Sequence, residues 1–573
     1  MISQSKGMQK RWLLKPKNNA EATRHLRDEL GVSDVVANLL AYRKIETYEG
    51  AREFFRPSLS YLHDPFLMKD MDVAIARITQ AITNKEKILV YGDYDVDGTT
   101  AVSIVYTFFH QFHTKLAYYI PDRYAEGYGI SYQGIDYAQE HGYTLIIALD
   151  CGIKEIEKVA YAKEKGIDFI IGDHHLPGDT IPDALAVLDP KRVDCDYPYK
   201  ELSGCGIGFK IIQAFIQSND MDMEMAYQYL DLVAVSIASD IVPITGENRL
   251  LCHFGLQKLN SNPSFGIRAL IELSNNRKDF FTVNDIVFQI GPRINAAGRI
   301  EHAKDAVKLL TSKSVADALV FSEKVNLQNN ERKDVDLRIT EEAMALIADD
   351  ESLQKRNSTV LYKADWHKGV IGIVASRLTE KYYRPTIILT QTNGHVAGSA
   401  RSVLGFDLYQ ALESCSDLLE QFGGHKYAAG MTMPVENVAL FQQRFEEVVT
   451  QSITPEMLTQ EISIDLAIHL KEIDAKLFRL LKQFEPYGPQ NEQPTFISKG
   501  VTVQGQAHIV GANHIKMTVI QEDSAPFSCI AFGLSEHIAH INAGKRFDIC
   551  YTIEENTWKT RKNLQLNIKA IRY

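Results

Sequence analysis

Three carboxylates at alternate positions, Asp93, Asp95 and Asp97, follow the apolar run Ile88-Leu89-Val90-Tyr91-Gly92 and precede Gly98-Thr99-Thr100. Like charges crowded into so short a stretch repel one another unless a cation or several donors compensate, so the spacing points to a divalent metal. An acidic surface turn is the alternative for one such ending alone. Three later apolar runs end in the same way: Leu145 to Leu149 in Asp150, Phe169 to Gly172 in Asp173-His174-His175, and Leu232 to Ser239 in Asp240. Together the four endings describe one site. Carboxylates with one or two imidazoles suit manganese and tolerate magnesium, and two such ions activate water for in-line attack on a phosphodiester.

The elements that must position these residues are legible in the periodicity. From 70 to about 245 the chain alternates strands at 87–91, 115–120, 143–149 and 167–172 with helices over 72–82, 99–111, 132–141 and 154–165. A short apolar run at 185–188 and helices over 206–217 and 223–238 follow. Such β-α repeats predict a mostly parallel sheet covered on both faces, whose strand ends converge on one crevice. Asp240 closes a helical run and has to be folded back to them. Residues 250–300 read as a short helix pair and a polar turn at 291–299; helical periodicity over 301–348 then suits one long or broken helix joining two lobes.

A second α/β unit is expected over 357–450, with strands at 359–362 and 386–390. Its glycine-rich segments Gly398-Ser399-Ala400-Arg401-Ser402 and Gly423-Gly424-His425 read either as phosphate-cradling loops or as ordinary turns. Short alternating strands in the tail, from about 491, predict a small β-barrel. It carries Lys516, Lys545, Arg546, Lys559, Arg561, Lys562, Lys569 and Arg572 among Tyr551, Trp558 and Tyr573, which fits a track for single-stranded nucleic acid as well as a solubilising surface. The first residues form a basic arm, Lys6, Lys10, Arg11, Lys15 and Lys17, with helices over 21–30 and 35–42, either packed on the following domain or touching phosphates.

With 573 residues, 45% of them hydrophobic and 24% charged, the chain has the composition of a multidomain soluble protein. No uncharged apolar run reaches 18 residues and no secretory leader opens the chain, so the expectation is a cytoplasmic protein away from membranes. The net charge of −11 leaves nucleic-acid binding to a local basic surface. Seven cysteines without CxxC spacing suggest neither a disulfide framework nor structural zinc. A P-loop nucleotidase is disfavoured because GxxxxGK[ST] is absent, and Cys151 beside Asp150 is in the wrong electrostatic setting for a thiolate nucleophile.

Six motifs in order resemble the DHH phosphoesterase superfamily and, within it, the RecJ branch. They are Asp93 through Gly98, Leu149 through Gly152, Asp173-His174-His175, Ser239-Asp240, Gly291 through Arg299, and Gly423 through Gly430. The resemblance implies two α/β lobes, a DHH parallel-sheet domain and a DHHA1-like domain, joined by a long helix, with an oligonucleotide-binding (OB) barrel attached. The expected division is 1–69 for the basic arm and helices, 70–250 for the catalytic domain, 251–349 for the helical connector, 350–455 for the substrate-binding domain and 456–573 for the barrel. It implies two divalent ions, Mn2+ or Mg2+, held by Asp95, Asp97, Asp150, His174 and Asp240, with Asp150 bridging. Asp93 stands where this branch adds a carboxylate, and His175 orients either a ligand or the scissile phosphate.

Arg299, Ser399, Arg401 and His425 become substrate-phosphate contacts, although His425 fits a structural place in a glycine-rich turn as well. The implied activity is hydrolysis of single-stranded DNA from the 5′ end to 5′-mononucleotides in recombination and repair, on strands supplied by a helicase or a single-strand-binding protein. A narrow passage between the lobes is expected to exclude duplex, and a monomer suffices. Two rivals are an enzyme for pyrophosphate, cyclic dinucleotides or very short RNA, which would not need the barrel, and an inactive scaffold, which would not need the acids.

Overall fold

The computed structural model describes residues 10–16, 18, 20–274, 278, 280–392, 394–558 and 561–573, with backbone alone at 557, 558 and 561. Its contacts divide the chain into two compact units, Leu14–Leu327 with Ile464–Tyr573, and Met1–Leu13 with Gln328–Ser463. The 35-residue helix Val315–Asp349, roughly 52 Å long, runs through the division.

The larger unit is built on a parallel five-stranded sheet in the order Leu116–Tyr119, Ile88–Gly92, Leu145–Leu149, Asp168–Gly172, Ala186–Leu188. Side chains alternate across it, as the two-residue period of a strand requires. Ile88, Val90, Leu145, Ile147 and Ile170 enter one core, while Leu89, Tyr91, Ile146, Ala148 and Ile171 enter another on the opposite face. After Ile88–Gly92 the chain adds a strand on one side, then crosses to Leu145–Leu149 on the other. This reversal opens a crevice beyond the carboxyl ends of those two strands.

The helical run expected over 223–238 is broken at Gln228–Tyr229 into Glu224–Tyr227 and Leu230–Ser239. The polar turn expected at 291–299 is instead the helix Gly291–Ile300, preceded by a π-helical segment, Ile286–Ile290. Pro292 sits in the first turn, where its missing N–H costs nothing. Gly291 and Gly298 are there for packing, since a Cβ would lie 2.7 Å from Ser239 Oγ and 2.9 Å from Tyr94 O respectively.

Residues 464–573 form a closed barrel. Its strands Phe496–Val503, His514–Ile520, Phe527–Ala531, Phe547–Trp558 and Arg561–Arg572, numbered one to five, pair in the ring order 1-2-3-5-4-1, with strands three and five parallel. That is the connectivity of an OB fold. The N-terminal helices Ala20–Leu30, Asp34–Ala41 and Tyr48–Phe55 share the barrel's core, and the last also touches the domain that follows in sequence, through Arg249 on Phe54. Leu26, Val36, Leu39 and Leu40 share a core with Leu477, Phe484 and Phe496, and the rings of Phe54 and Phe55 meet Phe484 edge-on at 5.3 and 5.4 Å. Their apolar faces match the barrel flank, which overrides nearness in sequence.

The smaller unit holds a sheet ordered Gln421–His425, Ala428–Met433, His395–Arg401, Thr386–Thr392, Thr359–Tyr362, antiparallel except for the last pair. Both segments read as glycine-rich loops are therefore strands. Gly398 lies where a Cβ would meet Leu389 Cδ2 at 2.6 Å, so close side-chain packing, and not a turn, is what the glycine serves. Among the described residues no helix is long and apolar enough to cross a membrane, and all seven cysteines are buried.

Candidate metal centre

Every acid named at a strand end lies at the crevice of the larger unit. The turn after Ile88–Gly92 carries Asp93 and Asp95, and Asp95 caps the helix Val96–Phe109, its Oδ1 accepting from Gly98 N at 3.0 Å. A Cβ at Gly98 would lie 2.4 Å from Asp93 O, so only glycine lets the helix start this close to the strand end. Asp97, on the first turn, is held by three donors: Gly204 N at 2.7 Å, Cys205 N at 2.8 Å and Ser236 Oγ at 2.6 Å. The first two open the helix Gly204–Ser218, whose amino end favours a carboxylate.

Asp150 follows Leu145–Leu149 in the left-handed region, φ 60°, a conformation that short polar side chains tolerate. Its carboxyl rests on Gly204, where a Cβ would come within 2.6 Å of Asp150 Cβ. His174 Nε2 is 3.2 Å from Asp150 Oδ1, 3.5 Å from Asp240 Oδ2 and 3.7 Å from Asp97 Oδ2. Asp240 caps the carboxyl end of Leu230–Ser239 and is brought to the others by that helix. Two overlapping triads, Asp97 with His174 and Asp240, and Asp150 with His174 and His175, each bring ligand atoms within 4.8 Å of one another.

Electrostatics show what this costs. Burial, reinforced first by Asp97, drives Asp150 well above the carboxylate range; burial and Asp95 do the same to Asp93. Burial, then Asp97 and Asp95, push Asp240 up to about 9, while burial lowers His174. Asp93 Oδ2, Asp150 Oδ1 and both ring nitrogens of His174 are buried without a hydrogen-bond partner. Orphaned acceptors facing one another fit divalent cations, since a shared positive charge removes both the repulsion and the unmet bonding. Asp97, Asp150, His174, His175 and Asp240 are the side chains whose ligand atoms come close enough to share an ion, with Asp93 and Asp95 on the adjoining turn, and hard oxygens with imidazole suit a divalent metal.

Asp173 is different. Its Oδ1 accepts from His174 N, His175 N and His175 Nδ1, the last at 2.7 Å, and Oδ2 accepts from Ile153 N. Burial opposes its charge most strongly, yet the hydrogen bond and charge of His175, with the Ile153 N–H and His174, together hold it down to about 2. Burial likewise opposes His175, and the Asp173 bond raises it to about 9. His175 Nε2 meets the hydroxyl of Tyr128 at 3.2 Å. Sequence reading misses Tyr128, Ser236 and Asp189. Asp189 repeats the apolar-run-then-acid signal after Ala186–Leu188; it is buried with Oδ2 unpartnered, and burial raises it to about 7.

Arg299 ends the helix Gly291–Ile300, and its carbonyl accepts from Tyr124. In the smaller unit Ser399 and Arg401 stand two apart on one strand, with Arg401 Nη1 donating to Ser399 Oγ at 3.2 Å. Register pairs Arg401 with Ala428 and Ala428 with His425, so Arg401 and His425 share a face across one intervening strand. The start of the helix Ile371–Tyr382 abuts them: a Cβ on Gly372 would lie 2.9 Å from Ser399 Oγ and 3.1 Å from an Arg401 Nη.

On the barrel the expected track is not one cluster. Lys545 and Arg546 precede the strand Phe547–Trp558, while Lys562 pairs with Thr557 near its other end, roughly 35 Å along the strand. Lys562 is ion-paired with Glu555 at 3.2 Å, Arg572 bonds Asp548, and Lys516 is exposed on the second strand. Tyr551, read as a stacking residue, is buried and bonds Ser498 at 2.8 Å, because it is in phase with the core residues Phe547, Ile549 and Ile553. Trp558, Lys559 and Arg561 lie outside the described side chains, as do Lys6 and Lys17 of the basic arm, where Arg11 pairs with Glu461 and Lys15 with Asp465.

Three family models match: the DHH family N-terminal domain over residues 87–237, the DHHA1 domain over 356–451 and the RecJ OB domain over 464–570. The single-stranded-DNA-specific exonuclease RecJ of Bacillus subtilis is 36% identical over 98% of this chain and 70% of its own length. The protein of the same description from Salmonella typhimurium is 32% identical over 88% of this chain and 90% of its own. The crystal structure of RecJ from Thermus thermophilus in complex with Mn2+ superposes with a TM-score of 0.84 at 25% identity, covering 98% of this chain and 79% of that one.

Proposed function

This chain belongs to the RecJ family of single-stranded-DNA-specific exonucleases, and from that premise we propose that it degrades single-stranded DNA from the 5′ end to 5′-mononucleotides. It is a metal-dependent single-stranded-DNA exonuclease that uses Mn2+ or Mg2+. The observation that carries the reading of the site is the convergence of Asp97, Asp150, His174 and Asp240 at the reversal point of the sheet, with buried atoms of Asp150 and His174 left without a hydrogen-bond partner. Divalent ions bound there supply Lewis acidity toward water and the phosphoryl oxygens.

The protein's own contribution is positional. Asp97, fixed by three donors, and Asp150, seated on Gly204, keep their oxygens aimed without reorganising. Asp173 accepts the hydrogen bond of His175 Nδ1–H and leaves Nε2 to face the Tyr128 hydroxyl, so His175 can hold a proton beside the scissile phosphate. The terminal 5′-phosphate is given to Ser399, Arg401 and His425 of the smaller unit, and Arg299 of the larger unit is a separate phosphate contact. The support is their guanidinium and hydroxyl donors and the helix amino end at Gly372. The barrel carries the following nucleotides along Lys516, Lys545 and Arg546. The setting supported by the motif resemblance is a cytoplasmic monomer in recombination and repair, fed by a helicase or a single-strand-binding protein.

The test is product analysis on single-stranded DNA labelled separately at each end, with wild type and Asp150→Ala in manganese, magnesium and chelator. Early mononucleotide release from the 5′ end, lost in the variant and in chelator, is expected. Release from the 3′ end would overturn the direction, and intact DNA under every condition would overturn the activity.

A further inference from the structure

Ile241, the residue after Asp240, bears two costs at once. Its backbone is left-handed, φ 61°, where a β-branched side chain crowds the following carbonyl, and its side chain is 68% exposed. Glycine or asparagine would remove the strain, and any polar residue would remove the apolar exposure. The flanking chain holds the conformation in place. Val242 and Ile244 are buried, Pro243 O accepts from Tyr199 Oη at 3.1 Å and Asn248 Nδ2 at 3.0 Å, and Ile244 N donates to Pro489 O at 2.8 Å. A strained conformation fixed by the chain that follows it and spent on presenting an aliphatic group to solvent has no stabilising return.

A second exposed aliphatic stands at the same rim. Leu176 follows His175 directly and is 59% exposed, and Tyr128, bonded to His175, is 49% exposed. His174 Nε2 lies 3.5 Å from Asp240 Oδ2, so the segments carrying Leu176 and Ile241 meet at one centre. Apolar groups ringing a charged centre match a substrate whose phosphate is charged and whose sugar and base are not.

We propose that Ile241, with Leu176, is a substrate-positioning contact that grips the sugar and base of the nucleotide being released; this rests on the exonuclease reading above. The left-handed turn aims Ile241 outward beside Asp240, so that the nucleoside is clamped while its phosphodiester faces the carboxylates. The contact is indifferent to base identity, as an aliphatic surface offers no hydrogen bonds.

The experiment compares wild type, Ile241→Gly, Ile241→Val and Leu176→Ala on a 5′-phosphorylated DNA trinucleotide, which leaves few other contacts to mask the effect, with thermal unfolding of each. Ile241→Gly is expected to raise the melting temperature by relieving strain while raising KM about tenfold, the worth of one lost aliphatic contact, with kcat within about twofold. Leu176→Ala should raise KM similarly, and Ile241→Val, which keeps the strain and most of the surface, should stay near wild type. An Ile241→Gly protein with unchanged KM, or one melting below wild type, overturns the proposal. Failure of the wild type to cleave any single-stranded DNA would instead overturn the exonuclease reading, and the proposal with it.

Discussion

At the scale of single residues, Asp150 is caught between charge and burial. It has an unpartnered oxygen, four neighbouring carboxylates and a left-handed backbone. Asp150→Asn keeps the size and the tolerance for that backbone while removing the charge. In chelator the variant should be more stable than wild type by about 1–3 kcal/mol, because the amide is neutral without having to take up a proton to escape a buried charge. Added manganese should raise the wild-type melting temperature and leave the variant unmoved; a variant less stable than wild type in chelator would contradict the account of the cluster. Gly204→Ala places a methyl group against Asp150 and should weaken manganese binding about 10–100-fold by calorimetric titration. Asp240 adds a pH signature. Its folded value of about 9 exceeds the ordinary 3.8, so the folded, metal-free protein binds the extra proton. That contribution is full at low pH and is lost as pH rises through about 9, so in chelator stability should decline across this window, a trend that manganese should abolish.

At the scale of elements, the amino end of the helix Val96–Phe109 is pressed onto the strand end that carries Asp93. Gly98→Ala should cost about 1–3 kcal/mol and displace the Asp95 cap, lowering activity along with the melting temperature; unchanged stability would mean the turn can give way. The strands of the large sheet and the convergence of their acids were legible because apolar runs that stop at a charge mark strand ends in any parallel sheet. The rest was hidden for identifiable reasons. Gly291, Pro292 and Gly298 mimic a turn in sequence, whereas the helix needs them for close approach to Ser239 and Tyr94. The strands His395–Arg401 and Gln421–His425 are rich in glycine and small residues of poor strand propensity and are made strands by their neighbours. Tyr551 was readable, since its phase with Phe547 and Ile549 puts it inside, but basic neighbours in sequence drew attention outward. Tyr128 and Ser236 carry no local signal, because a lone tyrosine or serine gains meaning only from what the fold sets beside it.

At the scale of the molecule, the barrel's exposed cations at Lys545 and Arg546 are assigned to strand capture rather than chemistry. Exchanging both for glutamate should weaken cleavage of a single strand of about 20 nucleotides several-fold, with a shallower salt dependence, and leave the trinucleotide unaffected; equal loss on both lengths would place them at the active site. The barrel is not an appendage that can be trimmed, however, because the helices Ala20–Leu30, Asp34–Ala41 and Tyr48–Phe55 complete its core. A chain ending at 463 should expose that face and aggregate, while residues 70–463 should be the more soluble fragment. The same arrangement sets a timetable for biosynthesis. These helices cannot bury their apolar faces until the last barrel strand leaves the ribosome, about 500 residues after them, or about 25 to 100 s at ordinary elongation rates. Throughout that interval the nascent chain carries an uncovered greasy surface, which makes this enzyme a natural client for holding chaperones and ties its yield in the cell to the speed at which its message is read.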